Sequence, residues 1–120
     1  MALEAGALEY RRRHHGLIGV ESKIPVKDRP TLSLVYTPGV AEPCMEIFRD
    51  AKYSFEYTCR GNTVALITDG SAIFGLGQVG PEAALPAMEG KSVIFKTFAG
   101  IDALPMCLRV EGLYEMIQVV

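Results

Sequence analysis

No Cys-x-x-Cys pair occurs anywhere in this chain, and its three cysteines, Cys44, Cys59 and Cys107, are far apart and odd in number. That spacing argues against a structural zinc site and against a disulfide framework, and fits free thiols in a reducing compartment. There is no excess of either charge: 12 basic residues against 14 acidic ones give a formal net charge of -2, too little to steer a polyanion. The single basic cluster, Arg11, Arg12 and Arg13 followed by His14 and His15, falls where a helix would end. Cations there suit the negative pole of the helix dipole, so the cluster reads as a solvated helix end and not as a nucleic-acid patch. No apolar run approaches the roughly 18 residues of a membrane span. Glu4 and Glu9 stand where a secretory leader would carry its apolar core. A cytoplasmic protein with no membrane or nucleic-acid partner is expected.

What the chain does contain is enough apolar content, 49% over 120 residues, to build the core of one domain. Residues 3 to 13 pattern as an amphipathic helix stopped by Gly16. Residues 17 to 25 read as a short extended segment, with Ile18, Val20 and Ile24, and residues 27 to 30 as a polar turn. A brief apolar piece, 31 to 36, must stop before Pro38, because the residue preceding a proline is pushed out of the α region. Thr37, Pro38 and Gly39 make a turn. Val40, Cys44, Ile47 and Phe48 then mark a helix reaching about Asp50, and a second short helix covers 53 to 58 before Gly61.

The centre of the chain runs from Asn62 to Gly100. Residues 63 to 68 form a β-type run, Asp69 and Gly70 a turn, and Pro81 opens a long helical pattern, a position where proline forfeits no hydrogen bond. On a helical wheel Ala84, Ala87, Met88, Ile94, Phe95 and Phe98 share one side, with Glu82, Glu89, Val93 and Lys96 opposite. Lys91 falls in the apolar side. It either snorkels to the rim of the core or is held in a cleft, where burial would lower its pKa toward the range of a general base. Gly90, unfavourable inside a helix by roughly 0.5 to 1 kcal/mol, suggests a close approach to the backbone beside it. A strand over 103 to 108 and an amphipathic helix over 111 to 120 follow. The alternation of strand and helix favours an α/β fold, a small parallel sheet flanked by helices. The last helix stays apolar through Met116, Ile117, Val119 and Val120, so the chain reads as truncated at its C-terminal end.

Between strand and helix, Gly75, Gly77 and Gly80 satisfy the G-x-G-x-x-G spacing of dinucleotide-binding loops. Against that reading, the loop begins six residues after Asp69 where the fingerprint joins strand to helix tightly, and Asp102, at about the distance of the ribose-binding acid, precedes its strand. Arg109, at the far end, could meet a 2′-phosphate. The alternative is a tight turn that lets helix and strand pack closely.

Several segments together resemble the N-terminal domain of malic enzyme in its shorter prokaryotic form, an amino-acid-dehydrogenase-like substrate domain. They are Tyr36-Thr37-Pro38-Gly39-Val40-Ala41-Glu42-Pro43, Gly61-Asn62-Thr63-Val64-Ala65, Thr68-Asp69-Gly70, Gly75-Leu76-Gly77 and Met88-Glu89-Gly90-Lys91. The resemblance covers residues 9 to 120 in order. It implies oxidative decarboxylation of malate to pyruvate with NAD or NADP and a divalent metal, Mg or Mn, in a homo-oligomer, expected to be a dimer. By the same resemblance Tyr36 is the general acid that protonates the enol carbon, and Lys91 is the base that receives the malate hydroxyl proton. It further implies that the glycine loop belongs to the substrate domain, and that the cofactor-binding Rossmann domain and the metal carboxylates lie beyond residue 120, so that residues 1 to 120 are an incomplete domain, inactive alone. Ser71 and Ala72 stand where the larger, eukaryotic-type pattern has Glu-Arg, so the grip on the substrate carboxylates would come from elsewhere; backbone amides at 37 to 40 are one option. Two other functions fit the residues: a non-enzymatic interaction or regulatory module of the same fold, and a small nucleotide-binding domain using Gly75, Gly77 and Gly80.

Overall fold

The structure, a computed structural model, describes residues 6 to 120; the expected helix start at Leu3 lies outside them. The chain divides into two compact units, one made of the N-terminal residues up to Gly19 with Thr63–Val120, the other of Val20–Asn62.

The larger unit is built on a β-α-β crossover. Strand β1 (Thr63–Thr68) and strand β2 (Asp102–Cys107) pair in parallel, Thr63 opposite Asp102 through Thr68 opposite Cys107. Between them runs helix α5 (Pro81–Ala99), which packs chiefly against β2. Its limits follow from sequence chemistry. Pro81 sits in the first turn beside Glu82, Lys96 lies in the last turn, and Gly100 adopts the left-handed conformation (φ 67°). The Gly100 and Ile101 amides return to the carbonyls of Lys96 (3.0 Å) and Phe95 (3.4 Å). Helix α1 (Ala7–His14) ends on His15 and Gly16, both at positive φ, and α6 (Leu113–Val119) closes the unit.

Among the described residues the buried apolar side chains are Ala84, Met88 and Ala103, joined by Ser92, whose hydroxyl donates to the Met88 carbonyl at 3.1 Å. The buried stripe of α5 is therefore Ala84, Met88 and Ser92. Ile94, Phe95 and Phe98, expected on the apolar face, are exposed, Phe98 at 84%. A sheet of two strands is too narrow to cover them.

The smaller unit carries α2 (Arg29–Val35), α3 (Ala41–Arg49) and α4 (Ser54–Tyr57), with turns of 3-10 helix at Ala51–Tyr53 and Cys59–Asn62. The residues expected to be a polar turn start α2. Asp28 accepts the Thr31 amide at 2.8 Å as N-cap, and Pro30 fits the first turn, where its missing donor is not needed. Ser54 is buried and fully engaged, donating to the Ala51 carbonyl (2.7 Å) and accepting from Arg60 (2.8 Å), whose guanidinium lies 4.4 Å over the Phe55 ring. Residues 17 to 25, expected to be extended, form no strand. Ser22 Oγ folds back on Ile24, accepting its amide (3.3 Å) and donating to its carbonyl (2.8 Å), which bends the segment locally.

Candidate functional site

In α/β proteins of this kind, chemistry gathers at the carboxyl ends of the parallel strands. At the end of β1, Thr68 Oγ1 accepts the Gly70 amide (3.1 Å) and Asp69 Oδ1 accepts the Ser71 amide (2.9 Å). Hydrogen bonding to Ser71 holds the Asp69 carboxyl below its ordinary value of 3.8. Gly70 is buried, and its carbonyl accepts both the Val79 (3.0 Å) and Gly80 (3.2 Å) amides. A Cβ at Gly70 would lie 2.1 Å from the Gly80 carbonyl oxygen, so the two ends of the loop touch only because glycine stands there.

The tip of this loop is equally closed. Ile73 and Gly77 exchange backbone hydrogen bonds (2.8 and 2.9 Å), and the Leu76 amide also reaches the Ile73 carbonyl at 3.0 Å. Gly75 and Gly77 turn the chain at φ 79° and 76°. The amides of Leu76, Gly77, Val79 and Gly80 are thus engaged inside the loop, where a dinucleotide cradle would aim them at a pyrophosphate. The glycines build a tight turn. Arg109, a candidate for a 2′-phosphate, pairs with Glu82, and Asp102 accepts from Lys96 Nζ at 2.7 Å at the opposite end of β2. Among the described residues no group of three or more His, Cys, Asp and Glu could hold a metal ion, so these residues do not fit a divalent-metal site.

Lys91 lies on α5 within 20° of Ala84 on the helical wheel, yet its side chain is exposed. The expected cleft is not formed by the described residues, and neither a hydrogen bond nor an ion pair engages its ammonium among them. Nor does any described residue beyond the helix itself approach the neighbouring backbone: a Cβ at Gly90 would meet nothing within 4 Å among them. In the smaller unit, Tyr36 caps the end of α2, its amide on the Leu32 carbonyl at 3.0 Å, with its phenol exposed and without a partner among the described residues. The Thr37-Pro38 peptide bond is cis. Gly39 donates to the Ser33 carbonyl (2.8 Å) and Val40 to that of Tyr36 (2.7 Å), so two of the amides considered as carboxylate ligands are already engaged by backbone carbonyls.

One interaction next to the Met88-Glu89-Gly90-Lys91 segment escaped the periodicity reading. Glu89, placed on the polar face of α5, accepts from Arg11 Nη1 at 2.8 Å and from the Leu17 amide at 3.2 Å, and its side chain is only 15% exposed. A groove of about 360 Å³ on the same unit, lined by Leu17, Ile18, Val93, Thr97, Asp102 and Leu104, contains neither Lys91 nor the loop glycines Gly75, Gly77 and Gly80.

A β-α-β crossover with a glycine-closed loop after its first strand defines a parallel α/β domain. The comparisons fix which one: a sequence profile of the malic enzyme N-terminal domain matches residues 18–117, and the chain belongs to that family. The bifunctional malic/malolactic enzyme of Bacillus subtilis is 47% identical over 120 residues, 100% of this chain and 29% of that protein. The NAD-dependent malic enzyme of Geobacillus stearothermophilus is 52% identical over 105 residues, 88% of this chain and 22% of that protein. The crystal structure of the NAD-dependent malic enzyme from Thermotoga maritima superposes with a TM-score of 0.90 at 47% identity, covering 94% of this chain and 32% of that one. The chain thus spans less than a third of each relative.

Proposed function

We propose that the chain is the substrate-domain portion of an NAD- or NADP-dependent malic enzyme, contributing Lys91 as general base and Tyr36 as general acid to the oxidative decarboxylation of malate. The observation that carries this reading is the superposition on the Thermotoga maritima enzyme over 94% of the chain at 47% identity. Two further features support it. Lys91 and Tyr36 carry reactive groups that nothing among the described residues occupies, and the loop after β1 is rigidly closed beside the start of α5.

In this role a neutral Lys91 Nζ takes the proton of the malate hydroxyl as the carbinol is oxidised. After loss of CO2, the Tyr36 phenol delivers a proton to the enol carbon, giving pyruvate. A phenol of ordinary pKa near 10 is a weak acid, and an ammonium brought beside it in the assembled enzyme would ease that transfer. A reducible nicotinamide and a divalent cation supply the hydride acceptor and the Lewis acid; the residues described here fit neither, and both are assigned to the remainder of the enzyme. A homodimer in the cytoplasm is part of the same reading.

The test is a chimera in which residues 1–120 replace the matching stretch of the Geobacillus stearothermophilus enzyme. Malate-dependent NAD reduction should be retained. Lys91→Ala and Tyr36→Phe should each lower kcat by about 100-fold or more. Retention of the parent rate by either variant overturns the role given to that residue.

A further inference from the structure

The turn of α5 that carries Lys91 is the one its own sequence supports least. Pro86 lies inside the helix, so the bond from its amide to the Glu82 carbonyl is missing. Gly90 follows four residues later and is the least constrained residue a helix can hold. A proline and a glycine one turn apart are the usual ingredients of a helix that bends. Lys91 follows at once.

A second part of the chain spans this turn. One guanidinium nitrogen of Arg11 donates to Glu89 Oε2 at 2.8 Å, and the other donates to the Pro86 carbonyl at 2.7 Å. A single planar fork therefore holds the side chain of one residue and the backbone of another three positions earlier. The carbonyl has a lone pair free for it beyond its helical bond. The Leu17 amide donates to the same carboxylate at 3.2 Å. Gly16, at φ 98°, lets the chain pass so close that a Cβ would lie 2.9 Å from Glu89 Oε1. Arg11 and Glu89 are 27% and 15% exposed, so this is not a solvated ion pair of the kind that contributes little.

We infer that Arg11 and Glu89 are a positioning pair that splints the Pro86–Gly90 turn and thereby fixes the direction in which Lys91 leaves the helix. The assignment rests on the reading of Lys91 as the general base. Arg11 is here a positioning residue. It acts through the α5 backbone, and a lysine in its place, a point charge without the fork, cannot hold both partners at once.

Arg11→Lys and Glu89→Gln are compared with the parent in two measurements. In the 120-residue chain, amide hydrogen exchange at Gly90, Lys91 and Ser92 should accelerate roughly tenfold in both variants, with residues 94–99 and both strands unchanged. In the chimera described above, kcat for malate should fall by about tenfold while KM stays within about twofold, the pattern of a misplaced catalytic group and not of lost binding. Should Glu89→Gln not fold, Arg11→Lys, which keeps the charge, carries the comparison. Unchanged exchange at Gly90, Lys91 and Ser92, or a uniform acceleration across α5 and the sheet, overturns the splint even when Lys91→Ala is inactive. If Lys91→Ala keeps full activity, the base assignment falls, and the exchange result still decides whether the splint exists.

Discussion

Pro105 stands opposite Leu66 in the parallel ladder with its nitrogen turned away from β1. Leu108 donates to the Thr68 carbonyl at 2.8 Å, and the alternation of a parallel pair then points Leu104 and Met106 toward β1 and Ala103, Pro105 and Cys107 toward the outer side. Proline is tolerated mid-strand because its absent donor falls on an edge. Pro105→Val should therefore change the midpoint of urea unfolding by less than about 1 kcal/mol equivalent. Met106→Pro, which deletes the donor facing Leu66, should cost about 1 to 3 kcal/mol. Equal losses would mean that the strand faces have been assigned the wrong way round.

Gly70 and Gly75 share a positive φ, 74° and 79°, but differ in surroundings. An alanine at either pays roughly 1 to 2 kcal/mol for the left-handed backbone. At Gly70 it also collides with the Gly80 carbonyl, whereas at Gly75 nothing lies within 4 Å. Gly70→Ala should be the more destabilising of the two in chemical denaturation, and the reverse order would refute the closed neck of the loop.

Hydrogen bonding to Thr31 holds the Asp28 carboxyl below its ordinary value of 3.8. A carboxylate depressed in the folded state stabilises above its unfolded value, and that contribution is lost as the pH falls through the lower folded value. The start of α2 should loosen on acidification below 3.8, seen as a chemical-shift and exchange change at the Thr31 amide. Asp28→Asn keeps a capping oxygen but does not titrate, and should remove the transition.

Burial pushes the Cys107 thiol above its ordinary 9.0, and the nearby Glu82 carboxylate adds to the rise. Since the thiolate is the reacting species, alkylation at about pH 8 should label the exposed Cys44 before Cys107. Glu82→Gln should quicken labelling of Cys107, as followed by peptide mass spectrometry. Faster labelling of Cys107 than of Cys44 would contradict this placement.

The sequence was most informative where one short-range rule governs. Residues 63 to 68 form β1 as expected, Pro81 opens α5 where a first-turn proline should, and the strand expected over 103 to 108 forms as β2 within a residue of those limits. Periodicity gave the direction of a helix face but not what covers it. Ile94 and Phe98 keep helical spacing yet remain in solvent because, among the described residues, only two strands pair into the sheet behind α5. The β-branched residues of 17 to 25 failed to predict structure because a strand needs a partner edge, which no local pattern supplies. The roles proposed for Tyr36 and Lys91 come from the family's motifs, since the helical wheel alone left Lys91 between a rim lysine and a base. The contact of Arg11 with Glu89, 78 positions apart, left no trace in spacing or composition.

The double grip of the Gly70 carbonyl on Val79 and Gly80 has a consequence for how this segment can change over time. The strand-to-helix junction is fastened below the loop, so the side chains between Ser71 and Gln78, including the fully solvent-facing Phe74 but not the turn glycines Gly75 and Gly77, form a replaceable cassette. Their identities can drift or be redesigned to suit a new neighbour while the scaffold beneath stays as it is.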